Sequence, residues 1–226
     1  MSAIKPLVEQ LAPVIGTRHG IFGNQPAVLT DIFQDEANIV IWQRKLTDEL
    51  VRAAAHVLKD KPTLQASFTV APKNAHVAIN DALGSTQITA ALSEDITQLV
   101  DMFCCLFDLK RAGVRLTALD RAMCPRFHVD RIPCRLVTTY LGEATQWLPH
   151  HLVDRSKLGV GNQGKPDEQS RLFATSNDIQ HLDQGDVALL KGELWEENEN
   201  AGLVHRSPKL ASDTHRLLLT IDFIND

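Results

Sequence analysis

The first half of the chain carries hydrophobic residues at helical spacing in two segments. The first, "LTDELVRAAAHVLKD" at residues 46–60, contains Thr47 as a predicted N-cap, followed by acidic residues in the first turn. The second runs from Ser93, a predicted cap, to Gly113, a predicted stop. Its apolar stripe consists of Ile96, Leu99, Val100, Phe103 and Phe107. Each segment predicts a helix with one face in the core, and "ANIVIW" at residues 37–42 predicts a buried strand.

The second half of the chain changes to the shorter, alternating period of β-strands. Its candidate strands are "VRLTALDR", "RFHVD", "CRLVTTYLG", "DVALLKG", "GLVHRS" and "RLLLTIDF". Residues 148–185 form a long polar segment, and loops of this length are usually functional or mobile. We predict one α+β domain over residues 1–226. In it, residues 1–113 form mainly helical and early-strand support, and residues 114–226 form a β-sandwich or barrel core with the candidate site.

Charge and hydropathy exclude two classes of partner. A formal net charge of −5 and a pI of about 6.0 leave no basic surplus for binding nucleic acid. No apolar run approaches the roughly 20 residues of a membrane-spanning helix. The N-terminal "MSAIKPLVEQLAPVIG" lacks the continuous apolar core of a secretory signal. We therefore expect a cytoplasmic protein with neither nucleic acid nor membrane as a partner.

The four cysteines form no C-x-x-C pair, which argues against a zinc ribbon or a thioredoxin-type redox site. Cys104 and Cys105 are adjacent on the second predicted helix, where we expect them to pack as small hydrophobic residues. Cys124 and Cys134 flank His128 and would complete a Cys/His zinc site if all three shared one face of a strand. Prolines next to both cysteines interrupt such a strand, so two buried thiols are the simpler interpretation.

The segment "CPRFHVDRIP" contains an H-x-D motif formed by His128 and Asp130. On a strand, residues i and i+2 point to the same face, so the imidazole and the carboxylate would project side by side. A second histidine would complete a two-histidine, one-carboxylate triad that leaves three positions open on an iron ion. The alternative interpretation is that Asp130 pairs with Arg126 or Arg131 and that His128 is a partly buried polar residue.

The C-terminal segment "GLVHRSPKLASDTHRLLLTIDF" offers a second histidine and an arginine. His205 lies on one short predicted strand, and Arg216 begins the next. A hairpin between these strands would bring Arg216 close to a metal held by His205. The planar guanidinium of arginine can bind a carboxylate through two parallel hydrogen bonds. A small dicarboxylate could therefore bind the metal at one end and Arg216 at the other, whereas the adjacent His215 would face the surface.

The order of these motifs resembles the iron(II)/2-oxoglutarate-dependent dioxygenases. In that order an H-x-D motif is followed by a long interval, a Gly-Asp turn with an apolar strand, H-R-x-P and an arginine that starts the final strand. The resemblance covers about residues 114–224 and implies a double-stranded β-helix (jelly-roll) core with supporting N-terminal helices. It implies iron(II) ligands and catalytic residues at His128, Asp130 and His205, a 2-oxoglutarate carboxylate anchor at Arg216, and further co-substrate contacts from Tyr140 or Thr138.

More narrowly, "CPRFHVDRIPCRLVTTYLGEATQWLP", "GDVALLKG" and "HRSP" resemble a bacterial family of unknown function whose members tend to lie near zinc-handling genes. The first hypothesis is an oxygenase that couples oxidative decarboxylation of 2-oxoglutarate to hydroxylation of an unidentified small-molecule or protein substrate. The alternative is a non-catalytic jelly-roll or cupin-type protein that binds zinc or iron for metal homeostasis. A third hypothesis is a protein-interaction module that has lost its site. The sequence leaves the substrate and the oligomeric state open.

Overall fold

The computed structural model describes residues 18–224, which form a seven-stranded sheet, a three-stranded sheet and a helical layer. The strands are β1 (His19–Gly23), β2 (Ala37–Trp42), β3 (Gln65–Val70), β4 (Ala112–Leu119), β5 (Cys134–Leu141), β6 (Gln146–Leu148), β7 (Gln180–His181), β8 (Val187–Lys191), β9 (Val204–Arg206) and β10 (Arg216–Asp222). The helices are α1 (Asp48–Asp60), α2 (Pro72–Leu83), α3 (Ala90–Leu106) and the short α4 (Asp167–Ser170). The 3-10 helices are Pro26–Phe33, His150–Leu152, Arg155–Lys157, Gly159–Asn162 and Ser176–Asp178.

The large sheet is mixed and draws strands from both halves of the chain. Its order is β1-β2-β8-β5-β10-β4-β3, and β1 with β2 is its parallel pair while the other pairs are antiparallel. Because β2 pairs with β8 and β3 pairs with β4, the supporting first half and the second half share one sheet. This architecture confirms the predicted α+β class. The small sheet has the order β7-β6-β9.

The first predicted strand and helix lie where their patterns placed them. β2 spans the predicted residues 37–42 and is almost entirely buried. α1 begins after Thr47, whose side-chain oxygen accepts a hydrogen bond from the backbone amide of Leu50 at 3.3 Å. This contact satisfies one of the free amides at the helix N-terminus, as expected for a threonine cap.

The second predicted helix has its apolar stripe in the core, but both of its ends are corrected by the structure. α3 begins at Ala90, so Ser93 lies inside the helix, where its buried hydroxyl donates to the side-chain oxygen of Asn80. The helix ends at Leu106 because Asp108 adopts a left-handed φ of 51° and the following residue donates back to the last turn. Gly113 is therefore a strand residue of β4.

Helix α2 was not predicted, although its end signals are present in the sequence. Pro72 occupies its first turn, and Gly84 ends it in a left-handed conformation with φ 94°. Its apolar face has few large residues, which is why the hydrophobic pattern alone did not indicate a helix. Among the helices of residues 18–224, none is long and apolar enough to cross a membrane.

The two faces of the large sheet have different neighbours, and this difference positions the site. The α1–α3 layer packs on one face, in a core that includes Leu136 and Tyr140 of β5. The other face packs against the small sheet, in a second cluster that includes Val137 of β5 and Trp147 of β6. Over residues 134–140 of β5, even-numbered residues therefore point to the helices and odd-numbered residues point to the space between the two sheets.

The segment "RFHVD" is the predicted strand that does not form a regular strand. His128 makes an isolated antiparallel bridge with His205, in which each backbone amide donates to the other residue's carbonyl at 3.0 Å. His128 thus extends the small sheet next to β9. The long polar segment beyond β6 is not a continuous loop, because it contains the short 3-10 helices, α4 and β7.

Candidate metal centre

Three predicted ligands converge between the two sheets. The ligand atoms of His128, Asp130 and His205 all lie within 4.8 Å of one another. Nε2 of His128 is 3.6 Å from Oδ1 of Asp130, and Nε2 of His205 is 3.4 Å from Oδ2 of Asp130. Two ligand atoms at right angles and about 2.1 Å from one cation lie about 3 Å apart, so these distances need to contract only slightly around an ion.

The backbone orients both imidazole rings. Nδ1 of His128 lies 2.9 Å from the carbonyl oxygen of Arg126, and Nδ1 of His205 lies 3.2 Å from that of Leu203. When a neutral imidazole donates its Nδ1–H to the carbonyl, its Nε2 keeps a lone pair that can bind a cation beside Asp130; a protonated imidazole donates from Nε2 to the carboxylate instead. The bridge between His128 and His205 therefore brings together the rings as well as the backbones, with ring centroids 4.6 Å apart.

Asp130 is ionised in this environment. Burial raises the pKa of its carboxyl group, but hydrogen bonds from His128 and His205 and the charge of Arg135 outweigh burial and hold the pKa well below its usual range. The carboxylate in turn raises the pKa of His128 against the opposing effect of burial. A metal ion that binds here finds the carboxylate of Asp130 already deprotonated. The metal must compete with a proton for the imidazole of His128.

Arg135 is a contact of Asp130 that the sequence did not reveal. Its guanidinium donates to Oδ2 of Asp130 at 2.6 Å and forms two bonds to Asp222, at 2.6 and 3.0 Å. Neither arginine of the alternative interpretation takes this place. Arg126 pairs with Asp167 at 3.0 Å, and Arg131 is exposed. The acidic ligand is thus fixed by a side chain of β5.

Arg216 is buried beside the candidate metal ligands and contacts hydroxyl groups. It is 1% exposed, and its guanidinium donates to the side-chain oxygens of Thr139, at 3.0 and 3.2 Å, Thr145, at 2.9 Å, and Ser207, at 3.4 Å. Within residues 18–224 the structure shows no ion pair for this side chain, and burial lowers its pKa to about 10. A buried cation surrounded by neutral acceptors is a favourable place for an anion to bind.

One cavity connects the metal ligands with the surroundings of Arg216. Its lining includes His128 and His205 on one side. It also includes Thr145 and Ser207, which are hydroxyl partners of Arg216. A small molecule in this cavity can therefore reach both candidate histidine ligands and two hydroxyl groups beside Arg216 at the same time.

The predicted co-substrate contacts on β5 are corrected by the structure. Tyr140 is fully buried on the helix-facing side, where its hydroxyl donates to Asp95 at 2.6 Å. Thr138 shares that face, since its cross-strand neighbour Val187 belongs to the helix-facing core. The residue that contacts Arg216 is the intervening Thr139. Residues 136–140 are buried on both sides of the sheet, so their sequence pattern does not indicate which face meets the site.

The cysteines lie outside the group of metal-ligand candidates found among residues 18–224. Cys134 is fully buried, and burial raises the pKa of its thiol far above the usual value. Cys124 is exposed and lines the same cavity as His128. This placement argues against a Cys/His zinc site among residues 18–224. Of the adjacent pair on α3, Cys104 is buried as predicted, whereas Cys105 is exposed.

Several solved structures of dioxygenases and hydroxylases are similar to this chain. The rice dioxygenase for auxin oxidation is 12% identical, with a TM-score of 0.48, and the match covers 91% of this chain and 82% of that one. The Arabidopsis thaliana dioxygenase for auxin oxidation 1, in its 2-oxoglutarate complex, is 9% identical, with a TM-score of 0.49, and the match covers 92% and 93%. A Pseudomonas putida prolyl-4-hydroxylase is 12% identical, with a TM-score of 0.46, and the match covers 87% and 96%.

No curated protein matches the chain significantly. A family model described as "protein of unknown function (DUF1826)" matches residues 23–222, and the chain therefore belongs to that family.

Proposed function

We propose that this protein is an iron(II)/2-oxoglutarate-dependent oxygenase. The observation that carries the proposal is the placement of Arg216. Its buried guanidinium contacts hydroxyl groups that line the same cavity as the two candidate histidine ligands. A site that only held a metal would have no use for a buried, unpaired cation next to it, because burying such a charge is costly.

His128, Asp130 and His205 fit iron(II) as a two-histidine, one-carboxylate ligand set. When bound, the iron would supply oxygen activation coupled to oxidative decarboxylation of 2-oxoglutarate and hydroxylation of a substrate. The protein's own contribution is to orient the two imidazoles through backbone carbonyls and to hold the carboxylate through Arg135.

Arg216 would bind the carboxylate of 2-oxoglutarate that is distal to the metal. Its guanidinium is planar, keeps its charge at neutral pH and is buried, so its bonds to a carboxylate would be shielded from water. The hydroxyls of Thr139, Thr145 and Ser207 hold the fork in place and can donate to the same carboxylate.

The arrangement of strands supports a jelly-roll core for this site. Two sheets face each other across a buried cluster, and the site lies between them. The candidate ligands come from the small-sheet side, through His128 and His205, while Arg216 comes from the large sheet. We propose that these two sheets are the two walls of a double-stranded β-helix and that the α1–α3 layer supports its larger wall.

Anaerobic titration with iron(II) and 2-oxoglutarate tests this proposal, with the visible charge-transfer band of the chelate as the signal. We expect the wild-type protein to form the band. The His128→Ala and His205→Ala variants should lose iron binding and therefore the band as well. Arg216→Gln should bind iron normally but should bind 2-oxoglutarate about 100-fold more weakly, since it loses a buried ionic contact worth about 3 kcal/mol.

Arg216→Lys is the matched control for this titration, since it keeps the charge and loses the planar fork. Its affinity for 2-oxoglutarate should lie between those of the wild type and Arg216→Gln. Metal binding with no response to 2-oxoglutarate in the wild-type protein would reject the oxygenase proposal. That result would support the alternative of a non-catalytic metal-binding protein.

A further inference from the structure

A polar sheet surface continues from the metal site across β4 to β3. Arg115 of β4 is paired with Thr220 of β10 on one side and with Ser67 of β3 on the other, and Thr117 is paired with Gln65. Directly paired residues project to the same face of a sheet, so these five side chains form one polar surface. We call it the β3–β4 surface.

The β3–β4 surface borders the candidate metal site. The cavity that contains His128 and His205 is also lined by Arg115 and Thr117. A second cavity shares Arg115 and Thr117 and extends to Gln65 and Ser67 on β3, the edge strand of the sheet. A molecule on this surface would therefore lie against Arg115 while its other end approached the metal ligands.

The charges around this surface are not balanced once the site is loaded. Asp222 already makes two bonds to Arg135, and Arg115 shares one of its oxygens at 3.3 Å. The side chain of Arg115 is 52% exposed, so its guanidinium has donors free for another partner. Iron(II), Asp130, the dianion 2-oxoglutarate and Arg216 together are neutral. Arg115 and Arg135 carry two positive charges and Asp222 carries one negative charge. One net positive charge therefore faces the cavity.

We propose that the primary substrate carries an anionic group, a carboxylate or a phosphate, that binds Arg115 on the β3–β4 surface. This inference rests on the proposed oxygenase function and adds the chemical class of the substrate. Arg115 would form a charge-assisted contact with the anion, and the side chains of Gln65, Ser67 and Thr117 would donate further hydrogen bonds. The anion would thereby orient the rest of the substrate toward the metal ligands.

The test uses the full-length protein with iron(II) and saturating 2-oxoglutarate under anaerobic conditions, so that the metal site and Arg216 are occupied. Inorganic phosphate and acetate are the probes. Paramagnetic relaxation of their phosphorus and methyl nuclei by the iron reports binding close to the metal. We expect saturable relaxation for at least one probe, and the probe that binds more tightly identifies the preferred anion. The affinity for that probe should fall about tenfold or more in Arg115→Gln.

Arg121→Gln is the matched control, because Arg121 lines the same second cavity but is 87% exposed and pairs with Asp120. It should change probe affinity by less than about twofold. Three results would overturn this inference and leave the proposed function intact: no relaxation with either probe, no effect of Arg115→Gln, or an equal effect of Arg121→Gln. Absence of the chelate band before any probe is added would instead reject the proposed function, and this inference with it.

Discussion

Asp130 makes contacts with three basic side chains, and each contact constrains a different part of the candidate metal centre. His128 and His205 approach its two oxygens, and Arg135 donates to the oxygen that faces His205. A carboxylate on a short irregular segment would otherwise rotate freely, and freezing such a group costs free energy when a metal binds. Arg135 removes much of this freedom before the metal arrives.

We predict that Arg135→Met weakens metal binding by about 10- to 100-fold, the usual cost of losing a residue that orients a ligand. The positive charge of Arg135 also repels a cation, but its two bonds to Asp222 offset that charge. Loss of orientation should therefore outweigh relief of repulsion. The affinity is measured by titration with cobalt(II), whose visible spectrum also reports the geometry of its ligands.

Arg135→Lys is the conservative control for this prediction. It keeps a donor for Asp130 but cannot form the paired contacts with Asp222, so it should recover part of the affinity and the wild-type cobalt spectrum. Metal affinity that increases in Arg135→Met would show that repulsion is the larger effect and that Arg135 does not support the site.

Among the secondary-structure elements, the short helix α4 connects the two segments that carry the candidate histidine ligands. The carboxylate of Asp167 accepts from the backbone amide of Phe127 at 2.8 Å and pairs with Arg126 at 3.0 Å. It also lies 3.4 Å from the guanidinium of Arg206, the residue after His205. Asp167 is 4% exposed, so its contacts with the Phe127 amide and with Arg206 are shielded from water. The long polar segment thus supports the site through one buried carboxylate.

We predict that Asp167→Ala lowers the free energy of unfolding by about 3 kcal/mol, because it leaves the buried amide of Phe127 without its acceptor and removes the buried carboxylate shared by Arg126 and Arg206. Metal affinity should fall as well, since both histidine-bearing segments lose a shared contact. Denaturant unfolding and cobalt(II) titration measure the two effects. Glu168→Gln is the control, because Glu168 is 56% exposed and pairs with the same Arg206, and it should cost less than about 1 kcal/mol.

At the scale of the whole molecule, the site depends on folding of the complete sheet system. His128 and His205 are distant in sequence, and their bridge forms only when the segment before β5 meets β9. Arg216 is placed by the pairing of β10 with β4 and β5. A ligand that binds this assembled site and not the unfolded chain must stabilise the whole fold.

We predict that a metal ion at about 100 times its dissociation constant stabilises the protein by about 2.7 kcal/mol. For a chain of this length, that corresponds to a rise of about 5–10 °C in the melting temperature. Thermal unfolding with and without iron(II) under anaerobic conditions measures the shift, which a chelator should reverse. His205→Ala should show little or no shift, and an equal shift in that variant would place the bound metal elsewhere.

Local spacing was sufficient to predict that three candidate ligands lie close together. The H-x-D motif, His205 and Arg216 were predicted from their order. The structure brings the ligand atoms of His128, Asp130 and His205 within 4.8 Å of one another, and two hydroxyl partners of Arg216 line the same cavity as both histidines. The family of unknown function was also predicted, and the family model confirms it. Short motifs can indicate such positions because a two-residue spacing and a strand-starting arginine depend on local geometry.

The hydrophobic pattern and the motifs were enough to predict the α+β class, strand β2, helix α1 with its Thr47 cap, and the convergence of three candidate ligands. Tertiary structure alone decided which face of β5 meets the site, so that Thr139 rather than Tyr140 contacts Arg216. It also decided that Arg135 and Asp167 support the ligands. β5 is buried on both faces, so its pattern does not distinguish them, and Arg135 meets Asp222 across 87 residues of chain. Such contacts follow from strand register and packing between distant segments, which local periodicity does not encode.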